Sequence, residues 1–245
     1  MIQSRCGLCC NACAWREPNH CPGCTRQRRP FWGECPLKTC AERRGLAHCG
    51  LCPDFPCPTL HDFAFDAEHG EGDGSRLETC RRWAAATPRL QACLLVVEDI
   101  DRAAAFYSEL FGLPVVEDAG GNRLLACGIA LQARSVWNRL LDGAAVSFGH
   151  NAGELYFEVT DLDAFAAAAA AYGAEICQPV HEFPWGQRGL RLRDPDGHLV
   201  EVAEAMQTVV RRFLDSGLTP DETACRMGVE KAYLARYLPQ PKEET

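Results

Sequence analysis

Eleven of the sixteen cysteines in this 245-residue chain fall within the first 57 residues, and no other feature restricts the fold so tightly. They are Cys6, Cys9, Cys10, Cys13, Cys21, Cys24, Cys35, Cys40, Cys49, Cys52 and Cys57. Cys6-Gly-Leu-Cys9, Cys10-Asn-Ala-Cys13, Cys21-Pro-Gly-Cys24 and Cys49-Gly-Leu-Cys52 are C-x-x-C turns, a spacing that aims two thiolates at one centre. Thiolates select zinc or iron–sulfur clusters. The competing use of so many cysteines is a disulfide framework. The opening, MIQSRCGLCC, has no apolar leader, so a reducing, cytoplasmic setting is expected, where disulfides do not persist. Few large apolar residues separate the cysteines, so metal is expected to supply much of the folding energy here. Zinc is the leading reading and an iron–sulfur cluster its rival, since both accept four thiolates.

Charge divides the chain in the same region. Residues 1–60 carry eight Lys or Arg against four Asp or Glu, and residues 61–245 carry 17 against 29. The net charge of −8 argues against a general nucleic-acid or anionic-membrane binder. The arginines between the cysteine pairs, Arg26, Arg28, Arg29, Arg43 and Arg44, read as an offset to thiolate charge. No apolar run reaches the ~18 residues of a membrane span.

The cysteine string ends Cys49-Gly-x-Cys52-Pro-x-Phe55-Pro-Cys57. With the cysteines before it, this resembles the cysteine-rich domain of unknown function 3795, over about residues 3–86. The resemblance implies a metal site and no particular activity. It carries over Cys6, Cys10, Cys13, Cys21, Cys24, Cys35, Cys40, Cys49, Cys52 and Cys57 as metal ligands, with Cys9 as an extra. Ten such residues suit two four-ligand centres with two thiols over. Beyond them, Ser75 is expected to cap a helix over 76–86 that stops before Pro88.

From residue 90 the pattern repeats. Leu94–Val97 reads as a strand, Asp99-Ile-Asp101 starts a helix, and Gly112 ends it. Strands are expected at 114–117, 123–127 and 129–136. The order returns 62 residues later, with Val159-x-Asp161-Leu-Asp163 in register with Val97-x-Asp99-Ile-Asp101, and Gly173 ending the second helix. Strands at 175–180, 189–193 and 199–203 complete a βαβββ unit used twice.

Two signatures then carry a second resemblance. One is Val97-x-Asp99, Ala103, Phe106-Tyr107 and Phe111-Gly112-Leu113; the other is Asp194-Pro-Asp-Gly-His198-Leu-Val-Glu201-Val202. Together they resemble the vicinal oxygen chelate superfamily, which includes glyoxalases, extradiol dioxygenases and bleomycin-binding proteins. The resemblance implies an α+β fold of paired βαβββ modules around a cavity that often bears a metal. It fixes no reaction, since the fold hosts lyases, isomerases, dioxygenases and binders. The positions it assigns to the metal are Ala92, Ala130 or Gln132, Glu154 and Glu201. Ala92 has no donor, so a tight site would need Gln132, Glu154 and Glu201 together. Glu154 and Glu201 could instead share a proton, or pair with arginine. Phe183-Pro-Trp185-Gly-Gln-Arg188 offers an aromatic and a planar cation at the rim, able to hold a carboxylate or a ring. Glu154, Trp185, Arg188 and Glu201 are therefore the candidate ligand-binding residues. His198 is expected to face solvent.

Residues 207–245 read as a helical tail, with an amphipathic helix over 207–216 and a capping box at Thr219-Pro-Asp-Glu222. Its six Lys or Arg balance six Asp or Glu, so it reads as a packing or homodimerisation element and not a DNA reader. The reading as a whole is a metal-stapled cysteine-rich domain at 1–86, a vicinal oxygen chelate domain at 89–206 and the tail. Such a protein would bind or transform a small organic molecule. The alternatives are an iron–sulfur redox or regulatory module with a sensing domain, and a metal-dependent glyoxalase-like lyase or dioxygenase.

Overall fold

With few leucines or isoleucines in the first 60 residues, the cysteines themselves must pack the interior. The computed structural model describes residues 4–13, 16–31, 33–67, 72–143 and 145–238. It divides into two compact units, Met1–Arg89 and Leu90–Thr245. In the first, α1 (Pro36–Arg43), α2 (Pro58–Phe65) and α3 (Ser75–Ala86) are joined by turns. Cys35 and Cys57 sit at the N-caps of α1 and α2, each followed by proline at the first helical position, where no N–H is needed. The core is Leu37, Leu60, Ala64 and Leu77 together with Cys6, Cys35, Cys49 and Cys80.

Two C-x-x-C turns rest on α3. A Cβ at Gly7 would lie 2.3 Å from the Arg76 carbonyl oxygen, and one at Gly50 would lie 2.2 Å from that of Cys80. Only glycine allows this approach, so both Cys-Gly-Leu-Cys motifs owe their glycine to contact with α3. The start of α3 departs from expectation. Gly74, left-handed at φ 75°, is the N-cap, and the Ser75 N–H donates to the Asp73 side chain at 2.9 Å, so Asp73 supplies the local acceptor.

The second unit is α+β and repeats itself. Its first module is β1 (Cys93–Val97), α4 (Ile100–Phe111), β2 (Val115–Asp118), β3 (Asn122–Leu125) and β4 (Ile129–Ala133), followed by α5 (Arg134–Leu140). Its second is β5 (Glu154–Val159), α6 (Leu162–Tyr172), β6 (Glu175–Glu182), β7 (Arg188–Arg193) and β8 (Leu199–Glu204). The sheets have equivalent orders, β1-β4-β3-β2 and β5-β8-β7-β6, with the first and last strands of each module parallel. Asp99 accepts from the Asp101 and Arg102 N–H groups and Asp161 from that of Ala164, which starts α4 and α6; left-handed Gly112 and Gly173 end them. The strand expected through Val136 stops at Ala133, because Arg134 onward is helical.

One core joins the modules. Val97, Phe106, Leu125 and Leu131 from the first pack with Leu162, Leu190, Val200 and Val202 from the second. Phe111 of α4 meets Phe157 and Phe165 at centroid distances of 4.8 and 5.4 Å. At the edge of this core, the Tyr107 hydroxyl donates to Asp194 Oδ2 at 2.9 Å. Asp194 also accepts from the N–H groups of Asp196 and His198, and its Oδ2 lies 2.9 Å from His198 Nδ1. His198 is therefore drawn against this carboxylate and not turned to solvent. Asp196 receives the Glu98 N–H at 2.9 Å, a second link between modules.

The tail belongs to the second unit. α7 (Met206–Asp215), α8 (Pro220–Met227) and α9 (Lys231–Leu234) share a core of Val209, Val210, Phe213, Ala224, Met227 and Leu234. The Thr219–Glu222 capping box forms as the sequence requires. Phe213 fills the space where a Gly186 side chain would stand, and Arg212 donates to the Gly186 carbonyl at 2.7 Å. The terminal PQPKEET lies outside the described residues.

Burial alone would raise the Asp194 carboxyl, but the hydrogen bonds from His198 and Tyr107 outweigh it and hold the group below the ordinary carboxylate range. Its stabilisation is complete above the unfolded value of about 4 and is lost as pH falls toward the folded one. Tyr107→Phe is expected to cost ~1.5–3 kcal/mol, the loss of one bond to a charged group. Urea titrations at falling pH should show the gap between variant and parent closing in the acid range.

Candidate functional site

The face of the second sheet turned away from α6 carries the chemistry. In β5 and β8 successive side chains alternate, so Leu155, Phe157, Val200 and Val202 enter the core while Glu154, Tyr156 and Glu201 take the other face. The β7–β8 register sets Arg191 opposite Glu201. Arg191 pairs with Glu201 and reaches Glu154 Oε2 at 2.8 Å and Gln178 Oε1 at 2.7 Å. The carboxylates thus share an arginine, which answers the question the sequence left open. Burial pushes Glu201 above its ordinary value and Glu154 adds to this, while Arg191 works against both. The centre holds two carboxylates against one guanidinium.

Beside it stands an aromatic wall. Phe183 and Trp185 stack at 4.7 Å with their planes 5° apart, and the Arg191 guanidinium lies 5.5 Å from the Phe183 ring. Trp185 Nε1 donates to Gln187 Oε1 at 2.9 Å, and Gln187 donates to the Tyr156 hydroxyl at 2.8 Å. Tyr156 is raised to about 12, by burial first, and donates to Glu158 Oε1. Trp185 and Tyr156 nonetheless stay 40% and 49% exposed.

Arg188 does not join this group. It shares the face of Leu190 and Leu192, where it binds Asp163 of α6 at 2.6 Å and donates its N–H to Glu204. The expectation of Arg188 on the same rim as Trp185 and Glu201 fails by strand parity, since Arg191 is an odd number of residues away. Gln132 is also elsewhere. It is buried in the first sheet, where its amide bonds Asn122 and the Gly121 carbonyl. Gln132 and Glu201 both turn away from the shared core, so within one chain they belong to different surfaces. Ala92 has no donor, and Glu154 and Glu201 are held by Arg191. These residues do not fit a divalent ion within one chain.

In the amino-terminal unit several of the expected ligands are neighbours, Cys10 with Cys13, Cys21 and Cys6, and Cys49 with Cys6, Cys57 and Cys40. Burial, followed by the nearby thiolates of Cys80, Cys6, Cys57 and Cys40, pushes Cys49 up to about 12. Cys10 is raised by burial and by Cys13, Cys21 and Cys6. Such thiols keep their protons until a metal replaces them. Among the described residues, no group of three or more Cys, His, Asp or Glu side chains is spaced to hold a single ion. Cys80, fully buried beside Cys49 and Cys6, was missed by the sequence reading because it lies alone in a helix.

Residues 90–207 match the family described as a glyoxalase-like domain. Residues 90–207 form a glyoxalase-like domain. Residues 2–62 match the family described as a protein of unknown function (DUF3795), in keeping with the cysteine pattern. Among solved structures, the glyoxalase-like domain is similar to a protein of unknown function from Agrobacterium tumefaciens str. C58, at 34% identity and a TM-score of 0.45, covering 49% of this chain and 95% of that one. It is similar to a lactoylglutathione lyase from Agrobacterium tumefaciens, at 26% identity and a TM-score of 0.39, covering 49% and 96%. A glyoxalase-related enzyme from Fulvimarina pelagi aligns at 22% identity and a TM-score of 0.44, covering 49% and 90%. No curated protein matches the chain.

Removing Arg191 from the glyoxalase-like domain strands two carboxylates, one of them buried. Arg191→Ala is expected to cost about 3 kcal/mol near neutral pH. The deficit should shrink as pH falls and Glu201 takes up a proton, because the variant's carboxyl is raised further. Adding Glu201→Gln should recover much of the loss, as a double-mutant cycle of denaturation midpoints would measure.

Proposed function

We propose that the glyoxalase-like domain binds a small organic molecule with a flat unsaturated part, on the Phe183–Trp185 stack above the Glu154–Arg191–Glu201 centre. The observation that carries this reading is an exposed aromatic stack held in place beside a charge cluster centred on the buried Glu201. Arg212 fixes the Gly186 carbonyl and Arg226 the Pro184 carbonyl, so the segment bearing Trp185 is braced from below by the tail. A braced aromatic face loses little freedom when a ligand lands on it. A metal-dependent lyase or dioxygenase fits less well, since Ala92 has no donor and the Glu154 and Glu201 carboxylates are already paired with Arg191. The amino-terminal unit, on this reading, is a thiolate metal-binding domain.

A second copy of the chain is the partner that fits. The helices of both modules are spent on the internal core, while Leu94 in the first sheet and Tyr156 in the second remain 41% and 49% exposed on the faces opposite. The modules are repeats, so the first module of one copy can cover the second module of another, and a two-fold axis closes both sites at once.

Flat aromatic compounds should quench tryptophan fluorescence. Trp185→Ala should abolish the quench and Arg191→Ala weaken it at least tenfold, while Arg188→Ala leaves it within twofold. Equal losses from Arg188→Ala and Arg191→Ala would contradict the placement of the ligand. Light scattering should give the mass of a dimer, and Leu94→Glu should yield a folded monomer with weakened ligand binding.

A further inference from the structure

The amino-terminal unit contains a pocket of about 220 Å³ lined by four cysteines, Cys40, Cys49, Cys52 and Cys57. Three elements deliver them. Cys40 lies on α1, Cys49 opens a 3-10 turn that Cys52 ends, and Cys57 caps α2. Leu37 and Leu60, both buried, help to wall the pocket. At its edge Arg44 Nη1 donates to the Cys52 sulfur at 3.1 Å and to Asp54 Oδ2 at 2.6 Å.

The size of this space discriminates between occupants. A structural zinc site is closed, with four ligands converging on one point and each sulfur ~2.3 Å from the ion. The four cysteines instead share, with Leu37, Leu60 and other residues, the lining of an open pocket whose volume is several times the ~30 Å³ that one water occupies in the liquid. Four thiols around an apolar-walled space of this size form the donor set of a polynuclear iron–sulfide group. The intervals of eight, two and four residues between these cysteines draw ligands from separate elements, which lets them stand apart.

We propose that Cys40, Cys49, Cys52 and Cys57 hold a [4Fe–4S] cluster, with Arg44 as a positioning residue that sets its potential through the Cys52 sulfur. This rests on the reading of the unit as a thiolate metal-binding domain and names the group that one of its centres takes. A guanidinium on a ligand sulfur stabilises the reduced, more negative cluster, so Arg44 raises the reduction potential. Arg44 is exposed and lies outside the unit's core cluster, so its replacement is expected to leave that core intact.

The test uses the full chain purified anaerobically, with iron, sulfide and zinc measured in parent and variants and EPR spectra recorded after dithionite reduction. The metal lost on Cys52→Ala identifies the occupant. A loss of about four iron and four sulfide per chain is expected, while Cys225→Ala, in α8 of the other unit, loses none. Loss of one zinc with no sulfide overturns the cluster and leaves the metal-binding reading standing. A parent that holds no metal, and takes none up from ferric iron, sulfide and excess thiol or from zinc, overturns both. Should Cys52→Ala fail to fold, Arg44→Gln decides. It should retain the iron and the EPR signal of the parent but show a more negative midpoint potential. An unchanged potential overturns the role of Arg44, and a parent with neither iron nor an EPR signal overturns the cluster.

Discussion

The Asp194 carboxylate is the joint on which the second unit depends. It lies buried between the modules, takes the Tyr107 hydroxyl from one, and collects two backbone N–H groups and the His198 ring from the turn that follows it. A buried carboxylate with these partners has one satisfactory geometry, and losing any partner leaves charge without compensation. It therefore fixes the turn between β7 and β8, and the turn fixes the register of those strands. Arg191 meets Glu201 because both stand five residues from Asp196. The chemistry of the site is thus set by a polar contact on the far side of the sheet. The Asp-Pro-Asp-Gly-His sequence looks like an exposed turn, yet its work is to lock two modules together.

Much of this was legible in the sequence, for identifiable reasons. Asp99, Asp161, Gly112, Gly173 and the Thr219 box are local signals, and each forms where the sequence put it. The duplication was visible because both copies keep those signals at matching intervals. Glu154 and Glu201 came from the family resemblance, which assigns them to the first and last strands of the second module, and they do share a face. Arg188 was misjudged because a charged residue after a turn can take either face, and only the hairpin register settles parity. Counting outward from Asp196 would have named Arg191 instead. α5 escaped because Arg134–Leu140 has too few residues to show a helical period against the apolar run before it.

The thiol-rich unit shows a different limit. Spacing says that cysteines can converge, because a C-x-x-C turn brings two sulfurs to one side whatever the rest of the chain does. It says little about how far apart the pairs end up. That distance depends on how α1, α2 and the turns pack, and on small contacts such as those at Gly7 and Gly50. The choice between one ion and a larger inorganic group is therefore a property of tertiary packing. Burial adds to this, since a thiol such as Cys49 prefers to keep its proton unless a cation stands nearby.

The seating of both Cys-Gly-Leu-Cys turns on α3 has a consequence for biosynthesis. The matched DUF3795 segment ends at residue 62, whereas α3 spans Ser75–Ala86. During translation every clustered cysteine leaves the ribosome before the helix that seats it. At ~5–20 residues per second the thiols stay uncovered for a few seconds. During that interval the sulfurs are open to solvent, and the arrival of α3 closes it.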